Sequence, residues 1–144
     1  MNVLLDTNVL SERARPRPDP ALVHWIDGLD EDHTFISVLS LAEIRRGIER
    51  LPAGSRRTYL AAWLDRDLVT RFADRILAVD LPVAQSWGVL VANGDRNGTP
   101  VPIIDGFLAA TAAVHELTLA TRNTGDFARL GIPLVNPWSD DATW

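Results

Sequence analysis

Short apolar runs alternate along the chain with longer segments in which apolar residues recur every three or four positions. The short runs are typical of strands buried on both faces, whereas the longer segments are typical of amphipathic helices. Because strands and helices alternate throughout, the pattern predicts an α/β fold in which a parallel sheet lies between two layers of helices. We predict five strands, at Val3–Leu5, 34–38, 76–79, 118–121 and Leu134–Val135.

Capping residues and helix breakers predict where the helices begin and end. Asp19 can cap a helix that has Pro20 at its first position. Ser40 begins another helix, because Ser40 and Glu43 have the spacing of a capping box. The segment 94–102 contains glycines and prolines and is predicted to be a loop. We predict helices at 20–29, 40–51, 56–73, 80–93, 103–116 and 127–130.

Length and composition predict one globular domain spanning 1–144, with 139–144 as a loose tail. The chain has 144 residues, of which 47% are apolar and 23% are charged, as in an ordinary single domain. The absence of cysteine excludes disulfides and thiolate metal sites and fits a reducing cytoplasm. The chain contains no apolar run of about 18 residues, which is the length that indicates a membrane span. The N-terminal segment lacks the basic residues of a secretory signal peptide.

Asp6 is the first candidate for chemistry, because it directly follows the first predicted strand. Open parallel sheets bind ligands beyond the carboxyl ends of their strands, so we expect the Asp6 carboxylate in that crevice. Thr7 and Asn8 follow it and can hydrogen-bond a carboxylate or a metal-bound water. Taken alone, Asp6 fits equally well as the cap of a helix that starts near Asn8.

Glu43 has two interpretations besides metal binding. As the last residue of the capping box, it would reach back to the start of its helix. It also shares one helix face with Arg46 and Arg50, which is typical of a surface ion-pair cluster. An acid flanked by two arginines can also be a metal ligand beside a phosphate clamp, although the residue taken alone favours the surface cluster.

Asp105 and Asp126 complete the acidic set. Asp105 lies in the first turn of a predicted helix that is almost entirely apolar, so its charge needs a cation or an arginine as partner. Asp126 follows the fourth strand, where Thr121 and Asn123 supply further oxygen atoms, although a turn and a helix cap would also explain it. The acids are a stronger signal together, because a parallel sheet would place most of them at one edge.

The four carboxylates, with no histidine or cysteine among them, favour Mg²⁺ or Mn²⁺. Two such ions can hold the attacking and leaving oxygens of a displacement at phosphorus, and one can lower the pKa of the attacking water. The net charge of −5 argues against a passive nucleic-acid binder, but it is largely accounted for if the four acids form one metal pocket. All 14 basic residues are arginine. Arg46, Arg50 and the arginines of 13–17 are candidate phosphate contacts or an ordinary solvated surface.

Three other kinds of site are excluded. His24, His33 and His115 lack the spacing of a zinc site. A glycine-rich phosphate loop of the lysine-containing type needs a lysine, which the chain lacks. The segment 6–8 superficially resembles the aspartyl-nucleophile motif of haloacid dehalogenase-like phosphatases, but Asn8 stands where that motif has its second aspartate.

Five segments carry a family resemblance: 5–10 (LDTNVL), 40–47 (SLAEIRRG), 102–112 (PIIDGFLAATA), 121–127 (TRNTGDF) and 136–138 (NPW). The first four resemble the acidic motifs of the PIN-domain ribonucleases, and specifically of the VapC-type toxins of bacterial toxin–antitoxin pairs. The last resembles a common ending of that family. The similarity covers the whole chain, with the motifs in the same order.

The resemblance implies a parallel five-stranded sheet between helices and a set of four metal-binding acids: Asp6, Glu43, Asp105 and Asp126. Thr121 and Asn123 would lie in or near the surrounding shell, and Asp126 holds the position where ligation in the family is often indirect. The resemblance further implies endonucleolytic cleavage of RNA with Mg²⁺ or Mn²⁺. It also implies a homodimer, and a cognate antitoxin that inhibits the enzyme, binds DNA and forms a higher assembly with it.

Two alternatives remain open at this stage. One is a binding module of the same fold with a silent site, against which the presence of all four acids argues. The other is a DNA- or flap-directed nuclease of related fold. Such nucleases are usually larger and carry added DNA-gripping elements that this chain lacks.

Overall fold

Five parallel strands form one sheet in the computed structural model, which describes residues 1–138. The strands are β1 Val3–Leu5, β2 Thr34–Ser37, β3 Ile76–Leu77, β4 Thr118–Ala120 and β5 Leu134–Val135. Their order across the sheet is β3-β2-β1-β4-β5, which places β1 at the centre. Val3 pairs with Thr34 on one side and with Thr118 on the other. The predicted parallel five-stranded sheet is confirmed.

Helices cover both faces of the sheet, which confirms the three-layer α/β arrangement. They are α1 Thr7–Arg13, α2 Pro20–Asp27, α3 Val38–Glu49, α4 Ser55–Ala62, α5 Val69–Arg71, α6 Leu81–Arg96, α7 Ile103–His115 and α8 Thr124–Phe127. Helices α1 to α4 contribute to the apolar layer on one face, and α6 to α8 contribute to the layer on the other. Among the helices of residues 1–138, none is long and apolar enough to cross a membrane.

The central strand divides the core into two clusters, because successive side chains of a strand point to opposite faces. Val3 and Leu5 pack with apolar residues of α1, α2 and α3, whereas Leu4 packs with α7 and with Phe127 of α8. All three strand residues are buried, as expected of an apolar run with helices on both sides. The backbone is therefore fixed from both faces at the point where Asp6 follows the strand.

The start of α3 differs from the prediction, and the proposed capping box is wrong. The helix begins at Val38, and the Ser37 hydroxyl oxygen caps it by accepting a hydrogen bond from the backbone N–H two residues further on. Ser40 therefore lies inside the helix and is fully buried. Glu43 is the sixth residue of α3. Glu43 does not close a capping box, so its carboxylate needs another explanation.

Three other helix predictions need correction. The segment 56–73 is not one regular helix, because the π-helical turn Trp63–Leu68 separates α4 from α5. Gly94 does not begin a loop but is buried inside α6, where a Cβ would lie only 2.7 Å from a backbone carbonyl oxygen. The helix predicted at 127–130 begins earlier, as α8, so Asp126 lies within a helix and does not precede one.

The remaining boundaries agree with the pattern more closely. The carboxyl ends of β2, β3 and β4 come one or two residues earlier than predicted, and α2 ends at Asp27, before the predicted 29. The fifth strand lies where it was predicted. The tail predicted at 139–144 lies outside the described residues.

The first turn of α7 is held against α6 by a close contact at Gly106. A Cβ built on Gly106 would lie 2.9 Å from Trp87 Nε1. The Trp87 indole N–H donates a hydrogen bond to the Ile103 carbonyl oxygen at 3.3 Å, and the indole ring stacks on Phe107 with 5.0 Å between ring centroids. Asp105 lies between these contacts in sequence, so the same packing fixes its position.

We expect Gly106→Ala to lower the free energy of unfolding by about 1–3 kcal/mol, because the new methyl group would displace the Trp87 ring. Gly47→Ala is the matched control, since Gly47 is an exposed helical glycine with nothing within 4 Å of a built Cβ. That control should raise the free energy of unfolding by up to about 1 kcal/mol through helix propensity. Urea denaturation measures both, and equal effects of the two substitutions would contradict the close contact.

Candidate active site

Asp6 lies at the carboxyl end of β1 and also caps α1. Its Oδ1 accepts a hydrogen bond from the Thr7 backbone N–H at 2.6 Å, and its Oδ2 accepts one from the Thr121 hydroxyl at 2.8 Å. Only 6% of the residue is exposed. Two donors on a buried carboxylate hold it in one orientation, so Asp6 is fixed at the edge of the sheet where the sequence predicted it.

Thr121 is itself oriented by the residues around it. Its Oγ1 accepts hydrogen bonds from the Asn8 side-chain amide at 3.4 Å and from the Asn123 backbone N–H at 3.0 Å. Because these contacts use the lone pairs of the hydroxyl, its single proton is directed to Asp6. The predicted shell residues Asn8, Thr121 and Asn123 are therefore linked to Asp6 in one network.

Glu43 reaches the same edge from α3. Its Oε1 accepts a hydrogen bond from the Thr7 hydroxyl at 2.6 Å. Thr7 thereby binds two acids, Asp6 through its backbone and Glu43 through its side chain. This bridge, and not a capping box or a surface ion-pair cluster, accounts for the position of the Glu43 carboxylate.

Asp105 and Asp126 lie on the helices that follow the other half of the sheet. Asp105 is half-buried in the first turn of α7, and within residues 1–138 its carboxylate accepts no hydrogen bond and forms no ion pair. Burial raises the pKa of Asp105, and the negative charges of Asp126 and Glu43 raise it further. The exposed Asp126 is thus close enough to Asp105 to affect its ionisation.

Asp6 belongs to the same electrostatic neighbourhood. Burial raises its pKa, the hydrogen bonds from Thr121 and Thr7 oppose that rise, and the charges of Glu43 and Asp105 add to it. Each of the four candidate acids therefore interacts with at least one other. Carboxylates that are far apart in sequence converge at one edge of the sheet, where a cation would relieve their mutual repulsion.

The donor chemistry fits a hard divalent cation, but the side chains are not arranged as ligands. Carboxylate oxygens are the ligands that Mg²⁺ and Mn²⁺ prefer. Within residues 1–138, no three His, Cys, Asp or Glu side chains form a group that could hold an ion. Both oxygens of Asp6 and one of Glu43 accept hydrogen bonds from threonine donors. Each carboxylate oxygen has a second lone pair, so these hydrogen bonds leave the oxygens able to bind a cation as well.

Two of the three arginines at positions 45, 46 and 50 form no ion pair within residues 1–138. Arg46 and Arg50 are exposed and form no ion pair within the described part of the chain, whereas Arg45 pairs with Asp65. Sequence reasoning missed Arg122, which directly follows Thr121 and whose guanidinium lies over the Trp138 ring at 5.2 Å. Arg122 lies inside the fourth acidic motif, 121–127, and this position in the sequence could have identified it.

A cavity of about 430 Å³ lies beside α1 and α2, away from the acidic set. None of the four acids lines it. Its wall is mainly apolar, with both acidic and basic residues at intervals, and includes Leu10, Ile26, Trp63 and Phe72. The candidate acids therefore lie outside this cavity.

Known proteins resemble the chain over nearly its whole length. The PIN domain family matches residues 3–133. Toxin FitB of Neisseria gonorrhoeae is 38% identical over 96% of this chain and 99% of its own length. VapC ribonuclease Y4jK of Sinorhizobium fredii is 37% identical over 94% of this chain and 97% of its own length. The solved structure of FitAB bound to an IR36 DNA fragment matches with a TM-score of 0.90 at 36% identity, covering 95% of this chain and 96% of that one.

Proposed function

The chain belongs to the PIN domain family, as its motifs predicted, and we propose that it is the toxin of a toxin–antitoxin pair. Its proposed activity is endonucleolytic hydrolysis of RNA phosphodiester bonds with Mg²⁺ or Mn²⁺ as cofactor. Relatives that are 38% and 37% identical are named a toxin and a ribonuclease. The observation that carries the proposal is the pair of Thr7 hydrogen bonds, which join the carboxylates of Asp6 and Glu43 at the carboxyl end of β1.

In this proposal four acids hold the cation: Asp6, Glu43, Asp105 and Asp126. When bound, the cation would stabilise charge on the phosphate and lower the pKa of a water molecule. Thr7 and Thr121 bind carboxylate oxygens and thereby limit how the acids can turn. Asn8 and Asn123 act one step further out, because both donate to the Thr121 hydroxyl. Asp126 is exposed and forms the outer side of the set.

Arginines at the rim are the proposed contacts to the RNA backbone. Arg46 and Arg50 are exposed on α3 and carry no competing ion pair within residues 1–138, and Arg122 follows the residue that holds Asp6. A guanidinium group binds phosphate oxygens well because it can donate two parallel hydrogen bonds. The RNA substrate and the absence of cysteine both fit a cytoplasmic site of action.

The proposed partners are a cognate antitoxin protein and a second copy of the chain. The FitAB structure, 36% identical in the matched chain, contains DNA. We infer that this chain also forms an assembly that contacts DNA, and that the assembly contains an antitoxin that inhibits the enzyme. The free toxin would then be active only after the antitoxin is removed.

The purified chain, freed of antitoxin, should cleave total cellular RNA in Mg²⁺ or Mn²⁺ and should stop when EDTA is added. In the proposed reaction the nucleophile that attacks the phosphorus is water, and not the 2′-hydroxyl of the RNA. The cut ends should therefore carry no 2′,3′-cyclic phosphate. Gel electrophoresis of the RNA measures cleavage with and without EDTA, and analysis of the cut ends measures whether they carry a cyclic phosphate. The absence of cyclic phosphate separates this activity from contaminating metal-independent ribonucleases.

Three results would contradict the proposal. Cleavage that continues in EDTA would exclude the metal requirement. Faster cleavage of single-stranded or flap DNA than of RNA would favour a DNA-directed nuclease. RNA binding without cleavage at any metal concentration would indicate a silent binding module, so the same assay distinguishes all three functions.

A further inference from the structure

A fully buried serine contacts the Thr7 hydroxyl that donates to Glu43. Ser40 is the third residue of α3, one turn before Glu43, and its exposed fraction is 0%. Its Oγ lies 3.0 Å from Thr7 Oγ1, and Thr7 Oγ1 lies 2.6 Å from Glu43 Oε1. The three side chains therefore form a continuous hydrogen-bonded chain that runs from α3 to α1 and back to α3.

The number of available protons sets the direction of this chain. A threonine hydroxyl has one proton and an ionised carboxylate can only accept, so Thr7 donates to Glu43. The proton in the contact between Ser40 and Thr7 must then come from Ser40, and within residues 1–138 the Ser40 hydroxyl has no other hydrogen-bonding partner. A run of donors that ends on a charged acceptor strengthens the last bond.

We propose that Ser40 is a positioning residue for metal binding: its hydroxyl directs the Thr7 proton to one oxygen of Glu43 and leaves the other oxygen for the cation. This inference rests on the proposed metal-dependent function. Without Ser40, the Thr7 hydroxyl can rotate toward other acceptors, and Glu43 loses the donor that holds it in place. Groups that orient metal ligands typically contribute about 10–100-fold to metal affinity.

Ser37, the last residue of β2, shows what a purely structural serine does at the start of the same helix. It is also 0% exposed, but its Oγ accepts a hydrogen bond from the Leu39 backbone N–H and so caps α3. Its hydroxyl oxygen stabilises the helix end and, within residues 1–138, forms no hydrogen bond with an acid. The two serines are therefore matched in burial, but they differ in position and in hydrogen-bonding partner.

The test is a double-mutant cycle that measures metal binding through the melting temperature, without any activity assay. The variants are Ser40→Ala, Thr7→Val and the double variant, each titrated with Mg²⁺. Ser40→Ala should raise the Mg²⁺ concentration at half-maximal stabilisation by about 10-fold. In the Thr7→Val background the same substitution should have no further effect, because Ser40 acts through the Thr7 hydroxyl.

Two more variants separate positioning from packing. Ser40→Cys keeps nearly the same volume but is a weak donor, so it should shift the Mg²⁺ midpoint as Ser40→Ala does. Ser37→Ala should lower the melting temperature without metal and leave the Mg²⁺ midpoint unchanged.

A wild-type Mg²⁺ midpoint in Ser40→Ala, or an equal shift in both Thr7 backgrounds, would overturn the role of Ser40 while leaving the metal site intact. A wild-type chain that shows no stabilisation by Mg²⁺ would overturn the metal site as well. The failure of this inference and the failure of the proposed function therefore give different results.

Discussion

Replacing Asp105 by asparagine should lower the rate of RNA cleavage about 1,000-fold while the chain remains folded. The substitution keeps the size of the side chain and removes a negative charge that the proposed cation needs. The loss corresponds to about 4 kcal/mol of transition-state stabilisation. Asp6→Asn should have an effect of similar size, since Asp6 is the most buried of the four acids. Single-turnover cleavage with excess enzyme measures the rate, and circular dichroism checks the fold.

Asp95→Asn is the matched control for these two variants. Asp95 is an exposed acid near the end of α6 and is not one of the four candidate acids. Removing its charge should change the cleavage rate by less than about 2-fold, corresponding to about 0.4 kcal/mol. Wild-type rates in both Asp6→Asn and Asp105→Asn would show that the acidic site has been assigned wrongly.

Without metal, Asp105→Asn should be more stable than the wild type at neutral pH, and this advantage should shrink as the pH falls. Burial and the charges of Asp126 and Glu43 raise the pKa of Asp105 in the folded chain. Such an acid binds its proton more tightly when folded. Its contribution to the free energy of unfolding is therefore greatest below the unfolded value of 3.8 and is lost as the pH rises through the raised folded value.

Comparison of the variant with the wild type separates this effect from titrating groups outside the acidic set. Hydrogen bonds from Arg71 and Arg57 lower the pKa of Glu31 and Glu49, respectively, so the stability these acids contribute is lost as the pH falls. Both pairs are present in both proteins and cancel in the difference. A variant that is less stable than the wild type at neutral pH without metal would mean that protein groups already satisfy the Asp105 charge.

Mg²⁺ should reverse the order of the two proteins. At about 100 times its dissociation constant, a ligand that binds only the folded state stabilises it by about 2.7 kcal/mol, or about 5–10 °C in a chain of this size. The wild type should gain this increment, and Asp105→Asn should gain much less because it lacks one ligand. Scanning calorimetry of both proteins in EDTA and in Mg²⁺ measures the change.

The central strand could be predicted from sequence because its hydrophobic pattern does not depend on residues far away in the chain. Any apolar triplet buried on both faces gives the same signal, and Val3–Leu5 is such a triplet. The start of α3 was predicted wrongly for the opposite reason. Ser37 and Ser40 both precede a helical pattern, and the choice between them depends on tertiary packing, in which Ser40 is buried against the Thr7 hydroxyl.

The candidate site was predicted for a similar reason: the carboxyl ends of parallel strands meet at one edge. That rule places Asp6 without knowledge of any contact. It does not predict that Glu43 would be bound by Thr7, because this contact joins residues 36 positions apart. Nor does it predict how the carboxylates are oriented, since side-chain orientation depends on which donors surround each acid.

The two neighbours of the central strand are synthesised at very different times. β2 follows β1 closely in the chain, whereas the Thr121 hydroxyl that holds Asp6 comes 115 residues after it. At about 5–20 residues per second, a ribosome needs about 6–23 s to make that stretch. During this interval β1 lacks its β4 neighbour and Asp6 lacks its second donor. A nascent or prematurely terminated polypeptide that lacks β4 therefore has no assembled acidic centre.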